Sequence, residues 1–160
     1  MDIFEYAMQM EKDGEDYYRL LAQQTKNEGL KTILIMLADE EVKHRNVIGK
    51  MKKEKTQLAQ TTILNDARNV FAQLKESGEK FDFNAEQKEI YIKAQNIEKK
   101  SQDFYTEKAN EVKEEYKKDI FMRLAEEEKK HYFLLENIIE FVSRPETWLE
   151  NAEFHHLDEY

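Results

Sequence analysis

The sequence predicts an all-α protein, a left-handed four-helix bundle with one long crossover between its second and third bundle helices. Three observations carry this expectation. The 160-residue chain has only four glycines and one proline, so little interrupts helix formation. Apolar residues recur at helical spacing along most of its length. The second half also repeats the first: "LADEEVKH" at 37–44 returns as "LAEEEKKH" at 124–131, with six of eight residues identical at an offset of 87.

The elements follow in order. Ile3, Phe4, Ala7, Met10, Tyr17, Tyr18 and Leu21 mark a first helix over about 2–26. "KNEG" breaks the pattern, with Gly29 as the expected turn residue. A second helix is expected over about 30–55, through Ile33, Leu37, Val47, Ile48 and Met51. The crossover, about 56–84, holds a short amphipathic helix, "ILNDARNVFAQLKES", closed by Gly78. Asn84 with Gln87 reads as a capping box opening a third long helix, about 85–111. A fourth spans about 116–142 and stops before Pro145. Residues 1–143 therefore read as the bundle and 144–160 as a C-terminal tail. Trp148 suggests that the start of the tail docks.

The repeat extends beyond the octets. Ala7, Glu11, Asp16, Tyr18 and Ala22 align with Ala94, Glu98, Asp103, Tyr105 and Ala109. A helical hairpin is used twice, as a pseudo-twofold bundle requires. The crossover must run the length of the bundle so that helices two and three end up parallel.

Composition narrows the function. A net charge of −9 argues against nucleic acid and against an anionic membrane. The absence of cysteine excludes disulfides, thiolate catalysis and iron–sulfur centres. The longest apolar run, "ILIMLA", is too short to span a bilayer. The first residues do not read as a signal peptide, so a cytoplasmic location is expected.

A Glu three residues before a His is a weak signal in so Glu-rich a chain. Glu153 and His156 in the tail fit it too, without a repeat mate. The combination is stronger. Each hairpin supplies one lone Glu on its first helix and one Glu-x-x-His on its second, the set that a dinuclear metal site in a four-helix bundle uses. Glu11 precedes the first turn near Asn27 by 16 residues and Glu41 follows it by 14. At about 1.5 Å per residue the two sit at similar height. Glu98 and Glu128 keep the same offsets about Glu114. One layer is thus expected to hold Glu11, Glu41, His44, Glu98, Glu128 and His131. Its four carboxylates balance two divalent cations, without which their burial is costly.

On "EKDGEDYY" from Glu11, "EEVKH" from Glu40, "EKKSQDFY" from Glu98 and "EEEKKH" from Glu126, the sequence resembles the ferritin-like diiron carboxylate proteins. Among these it is similar to the rubrerythrin-like proteins, over roughly residues 2–142. The resemblance implies two iron ions, with manganese or zinc as substitutes. Glu41 and Glu128 would bridge them, and Glu11 with His44 and Glu98 with His131 would be the terminal pairs. It departs from the rubrerythrin pattern in two places. Ser101, aligned with Gly14, stands where an additional carboxylate is usual, which makes the site resemble that of bacterioferritins. The rubredoxin-type domain with four cysteines has no counterpart.

Tyr18 and Tyr105, seven residues after their Glu partners, have two readings: catalytic groups that bond the ligand carboxylates and pass protons and electrons to bound oxygen, or buried aromatic packing. Glu40 and Glu127 are expected at the solvated surface, the other reading being acceptors that orient the histidines. Gly14 and Ser101 either leave room for oxygen or peroxide or allow close helix approach. Met8, Met36, Met51 and Met122 are expected as core filler. His155 and His156 are expected in a mobile or packing tail, the other reading being that with Glu153 they bind a stray metal or fold back on a neighbour.

The expected function is a non-haem diiron oxidoreductase reducing hydrogen peroxide or oxygen in oxidative-stress defence. It would be served by a separate electron donor such as rubredoxin or a flavoprotein, with a homodimer as the expected assembly. A ferroxidase or iron-handling protein is the alternative, and a metal-bearing helical interaction module the second.

Overall fold

The computed structural model of the chain describes residues 1–150 and Leu157. Among these, six helices form and no strand does: α1 (Ile3–Gln24), α2 (Glu28–Met51), α3 (Ile63–Ser77), α4 (Ala85–Glu111), α5 (Glu115–Ser143) and α6 (Pro145–Glu150). No helix among them is long and apolar enough to cross a membrane.

Side chains that satisfy the first free N–H groups set several helix starts. Asp2 accepts from Glu5 N at 2.8 Å, and Asn27 accepts from Leu30 N at 2.9 Å. The capping box at Asn84 and Gln87 forms as expected. Gly78 closes α3 with φ of 68°, a left-handed backbone that glycine adopts without strain.

Two expectations about α2 are corrected. Gly29 is not the turn residue; it lies in the first turn of α2, after the Asn27 cap. A Cβ built there would stand 2.7 Å from Leu74 Cδ1, so the glycine lets α3 pack on α2. The helix also ends at Met51 rather than near Lys55.

α1 pairs tightly with α2, and α4 with α5; the two hairpins approach each other less closely. The core divides into two apolar clusters. One holds Leu21, Leu30, Leu37, Tyr91, Leu134 and Phe141; the other holds Ala7, Ile48, Met51, Tyr105, Ala109 and Phe121. On every bundle helix the predicted ligands lie between residues of these two clusters. The membership also fixes direction: α2 and α4 run from the first cluster to the second, α1 and α5 the opposite way. The crossover returns along the bundle, from Leu58 in the second cluster to Leu74 in the first.

Trp148 on α6 is fully buried, with its ring 4.6 Å from that of Phe71 and 5.8 Å from that of Phe141. The start of the tail therefore docks as expected. Met122 does not fill the core: it is 50% exposed, on the outer face of α5. Glu153, His155 and His156 lie outside the described residues.

Candidate metal centre

A buried stripe along α1, Ala7, Glu11, Gly14, Tyr18 and Leu21, faces the second hairpin, and α4 presents Ala94, Glu98 and Tyr105 likewise. The carboxylates therefore project into the interior because they occupy core positions of otherwise apolar stripes. Glu11, Glu41, Glu98 and Glu128 are 4% exposed or less, and both histidines are fully buried.

The six residues come together as two overlapping groups. Glu11, Glu41, His44 and Glu128 offer ligand atoms within 4.8 Å of one another, and so do Glu41, Glu98, Glu128 and His131. Glu41 and Glu128 belong to both. The imidazoles lie parallel, with centroids 5.7 Å apart and planes 9° from coincidence. His44 Nδ1 faces Glu128 Oε1 at 3.0 Å and Glu11 Oε1 at 3.5 Å. His131 Nδ1 lies 3.5 Å from both Glu41 Oε1 and Glu98 Oε1.

Several buried atoms there have no hydrogen-bond partner: Glu11 Oε2, Glu41 Oε1, Glu98 Oε2 and His131 Nδ1. Each such atom costs about 1–3 kcal/mol, or more when charged, and a cation coordinated there would offset that cost. All four point to the same layer. The residues present thus fit a pair of cations with oxygen and imidazole ligands.

Electrostatics of the metal-free centre agree. Burial, followed by the charges of Glu11 and Glu98, raises the Glu41 carboxyl well above its ordinary value. Burial and the charges of Glu41, Glu98 and Glu11 do the same for Glu128. For Glu98, burial acts upward, but hydrogen bonding from Glu128 and the charge of His131 bring it down to about 2. For Glu11, burial is outweighed by the charge of His44 and by bonds from Glu41, His44 and Tyr105, and the carboxyl falls below its ordinary value. Burial acts to lower both imidazoles. Glu11, Glu127 and Glu41 raise His44 well above normal, and Glu98, Glu40 and Glu41 raise His131. In the metal-free layer Glu41, Glu128, His44 and His131 thus hold a proton more readily than they would in water, and a cation entering the layer would compete with those protons.

The outer partners cross between hairpins. Tyr18 on α1 donates to Glu98 Oε1 on α4 at 2.5 Å, and Tyr105 on α4 donates to Glu11 Oε1 on α1. The sequence expectation for Glu40 and Glu127 is corrected. Glu127 is 4% exposed, with Oε1 2.7 Å from His44 Nε2, and Glu40 Oε1 lies 3.3 Å from His131 Nε2. Both therefore orient an imidazole rather than face solvent, and each serves the histidine of the opposite hairpin. Thr61, from the crossover, donates to Glu40 Oε1. Sequence reasoning missed Thr61, because the crossover has no repeat mate.

The family described as Rubrerythrin matches residues 2–140. No curated protein sequence matches. A solved hypothetical protein from Pyrococcus furiosus is similar in fold, with a TM-score of 0.61 and 21% identity, covering 88% of each chain.

Proposed function

The chain belongs to the rubrerythrin family, and from that premise we propose that it is a non-haem diiron oxidoreductase reducing hydrogen peroxide or oxygen. The observation that carries the proposal is the pair of four-residue groups sharing Glu41 and Glu128. One metal ion would be held by Glu11 and His44, the other by Glu98 and His131, with Glu41 and Glu128 between them. Two iron ions, when bound, supply the two electrons that convert hydrogen peroxide and two protons into two water molecules.

The chain's own groups position and protonate. Glu127 and Glu40 accept from Nε2 of the imidazoles and so present Nδ1 to the metal layer. Burial and the neighbouring carboxylates, Glu98 for Tyr18 and Glu11 for Tyr105, push both phenols well above their ordinary range. Both therefore keep their protons at neutral pH, as donors at the terminal carboxylates and as a proton store beside the reacting centre. The apolar clusters on either side exclude bulk water.

Return of electrons would fall to a separate carrier, rubredoxin or a flavoprotein, since the sequence has neither cysteine nor a glycine-rich nucleotide cradle. The test is rapid mixing of the reduced, iron-loaded protein with peroxide and, separately, with oxygen. A coupled assay follows in which nicotinamide nucleotide, reductase and carrier are each omitted in turn. Turnover with the complete set is expected. Sustained turnover with nucleotide and this chain alone would remove the need for a carrier. A single oxidation without turnover under any carrier would favour a ferroxidase.

A further inference from the structure

We infer that Gly14 is a positioning residue: its missing side chain makes the space in which the Glu41 carboxylate stands, and so sets where this shared ligand sits. The inference rests on the metal-centre reading above. Gly14 lies on α1, three residues after Glu11 and on the same face, and is buried. A Cβ built on it would meet Glu41 Oε2 at 3.1 Å and Glu41 Cδ at 3.3 Å. Those contacts are tighter than ordinary van der Waals packing, and both fall on the carboxylate itself. The three nearest atoms to that Cβ all belong to Glu41. Neither a docked helix backbone nor free room for a small molecule accounts for the glycine; the carboxylate of the neighbouring helix does.

A glycine inside a 22-residue helix is otherwise unfavourable, since alanine makes the better helix former there. Its repeat mate is Ser101, so the second hairpin carries a Cβ at the equivalent place. The two halves of the centre are therefore not equivalent around their shared carboxylates.

The consequence separates the metal-free state from the metal-bound one. Without metal, the Glu41 side chain can turn aside from an added methyl group. With metal, it is fixed by its ligand role, and a displacement of a few tenths of an ångström falls on a group that serves both ions. Ligand constellations lose function at displacements of that order. Gly14→Ala should therefore weaken metal binding while leaving the metal-free fold intact or more stable. Gly49→Ala is the control, because a Cβ there meets only the end of the Met8 side chain, Cε at 3.5 Å and Sδ at 3.8 Å, both ordinary contacts.

The experiment titrates the metal-free full-length chain with cobalt(II), following the visible ligand-field bands and competition with a chelator. Thermal unfolding of the metal-free and cobalt-loaded forms is measured in parallel. The expected result is two cobalt ions in the wild type and at least about tenfold weaker binding by Gly14→Ala, with altered bands. The metal-free Tm of the variant should be unchanged or higher by about 2–4 °C, because Glu41 can turn aside and alanine is the better helix former. Gly49→Ala should bind like wild type. Two ions bound by Gly14→Ala with wild-type affinity and bands would overturn the inference while leaving the metal centre standing. A collapse of the metal-free Tm of Gly14→Ala would also overturn it, since it would mark a general packing role. Failure of the wild type to bind cobalt would remove the metal centre itself, and this inference with it.

Discussion

His44 on α2 is held from the opposite hairpin by Glu127 on α5, whose Oε1 lies 2.7 Å from Nε2. This bond turns Nδ1 toward Glu128 and Glu11. The orientation of an imidazole on one hairpin thus depends on the other, which ties assembly of the bundle to assembly of the candidate site.

Removing that carboxylate should release the ring. Glu127→Ala is expected to weaken metal binding by about 10–100-fold. Glu40→Ala should cost less, because the Glu40 contact to His131 is longer, at 3.3 Å. Chelator competition on both variants checks the order. Equal and negligible effects would show that metal binding does not depend on the orientation these carboxylates give the imidazoles.

The repeat predicts matched losses at the imidazoles. His44→Ala and His131→Ala should each reduce metal content from two ions toward one and slow oxidation of the reduced protein, to broadly similar extents. His156→Ala, in the third Glu-x-x-His, should leave metal content unchanged. Elemental analysis of the three variants decides the matter. Loss of metal from the tail variant alone would show that the wrong pair of motifs had been assigned.

Tyr18 and Tyr105 bond carboxylates rather than merely pack. Tyr18→Phe and Tyr105→Phe should keep two metal ions and slow peroxide reduction. Each should destabilise the metal-free protein by about 1–3 kcal/mol, through a buried carboxylate left one donor short. Unchanged rates in both variants would assign the rings to packing alone.

Protonation gives a prediction with a definite sign. Glu41, Glu128, His44 and His131 all have folded-state values above their ordinary ones of 4.5 and 6.5. Such groups stabilise fully below the ordinary value, and their contribution is lost as pH rises through the raised one. The lowered carboxyls of Glu11 and Glu98 act oppositely, on the acid side of 4.5. The Tm of the metal-free protein should therefore fall as pH rises above these ordinary values, while the zinc-loaded protein should not show that fall. A metal-free Tm that rises over this range would contradict the protonation pattern.

Much of this was legible because the hairpin is used twice. One Glu-x-x-His says little, whereas matched register across 87 residues points to Glu11, Glu98 and both octets. The capping box at Asn84 and the closing glycine at 78 were legible because cap chemistry is local. The roles of Glu40 and Glu127 were not. Spacing places each one turn from the histidine on its own helix, whereas the partner each takes lies on the other hairpin. A signal was present nonetheless, since both octets keep a Glu immediately before Glu41 or Glu128. Gly29 was misread because an early glycine marks a turn and a helix contact equally well, and only Leu74, 45 residues away, decides between them.

The central claim is that the two overlapping groups form one dinuclear centre. Elemental analysis after anaerobic reconstitution with ferrous iron and removal of loosely bound metal tests it most directly. Two iron ions per chain are predicted, falling on substitution of His44 or His131. A ceiling of one ion, or none, in a folded protein would contradict it.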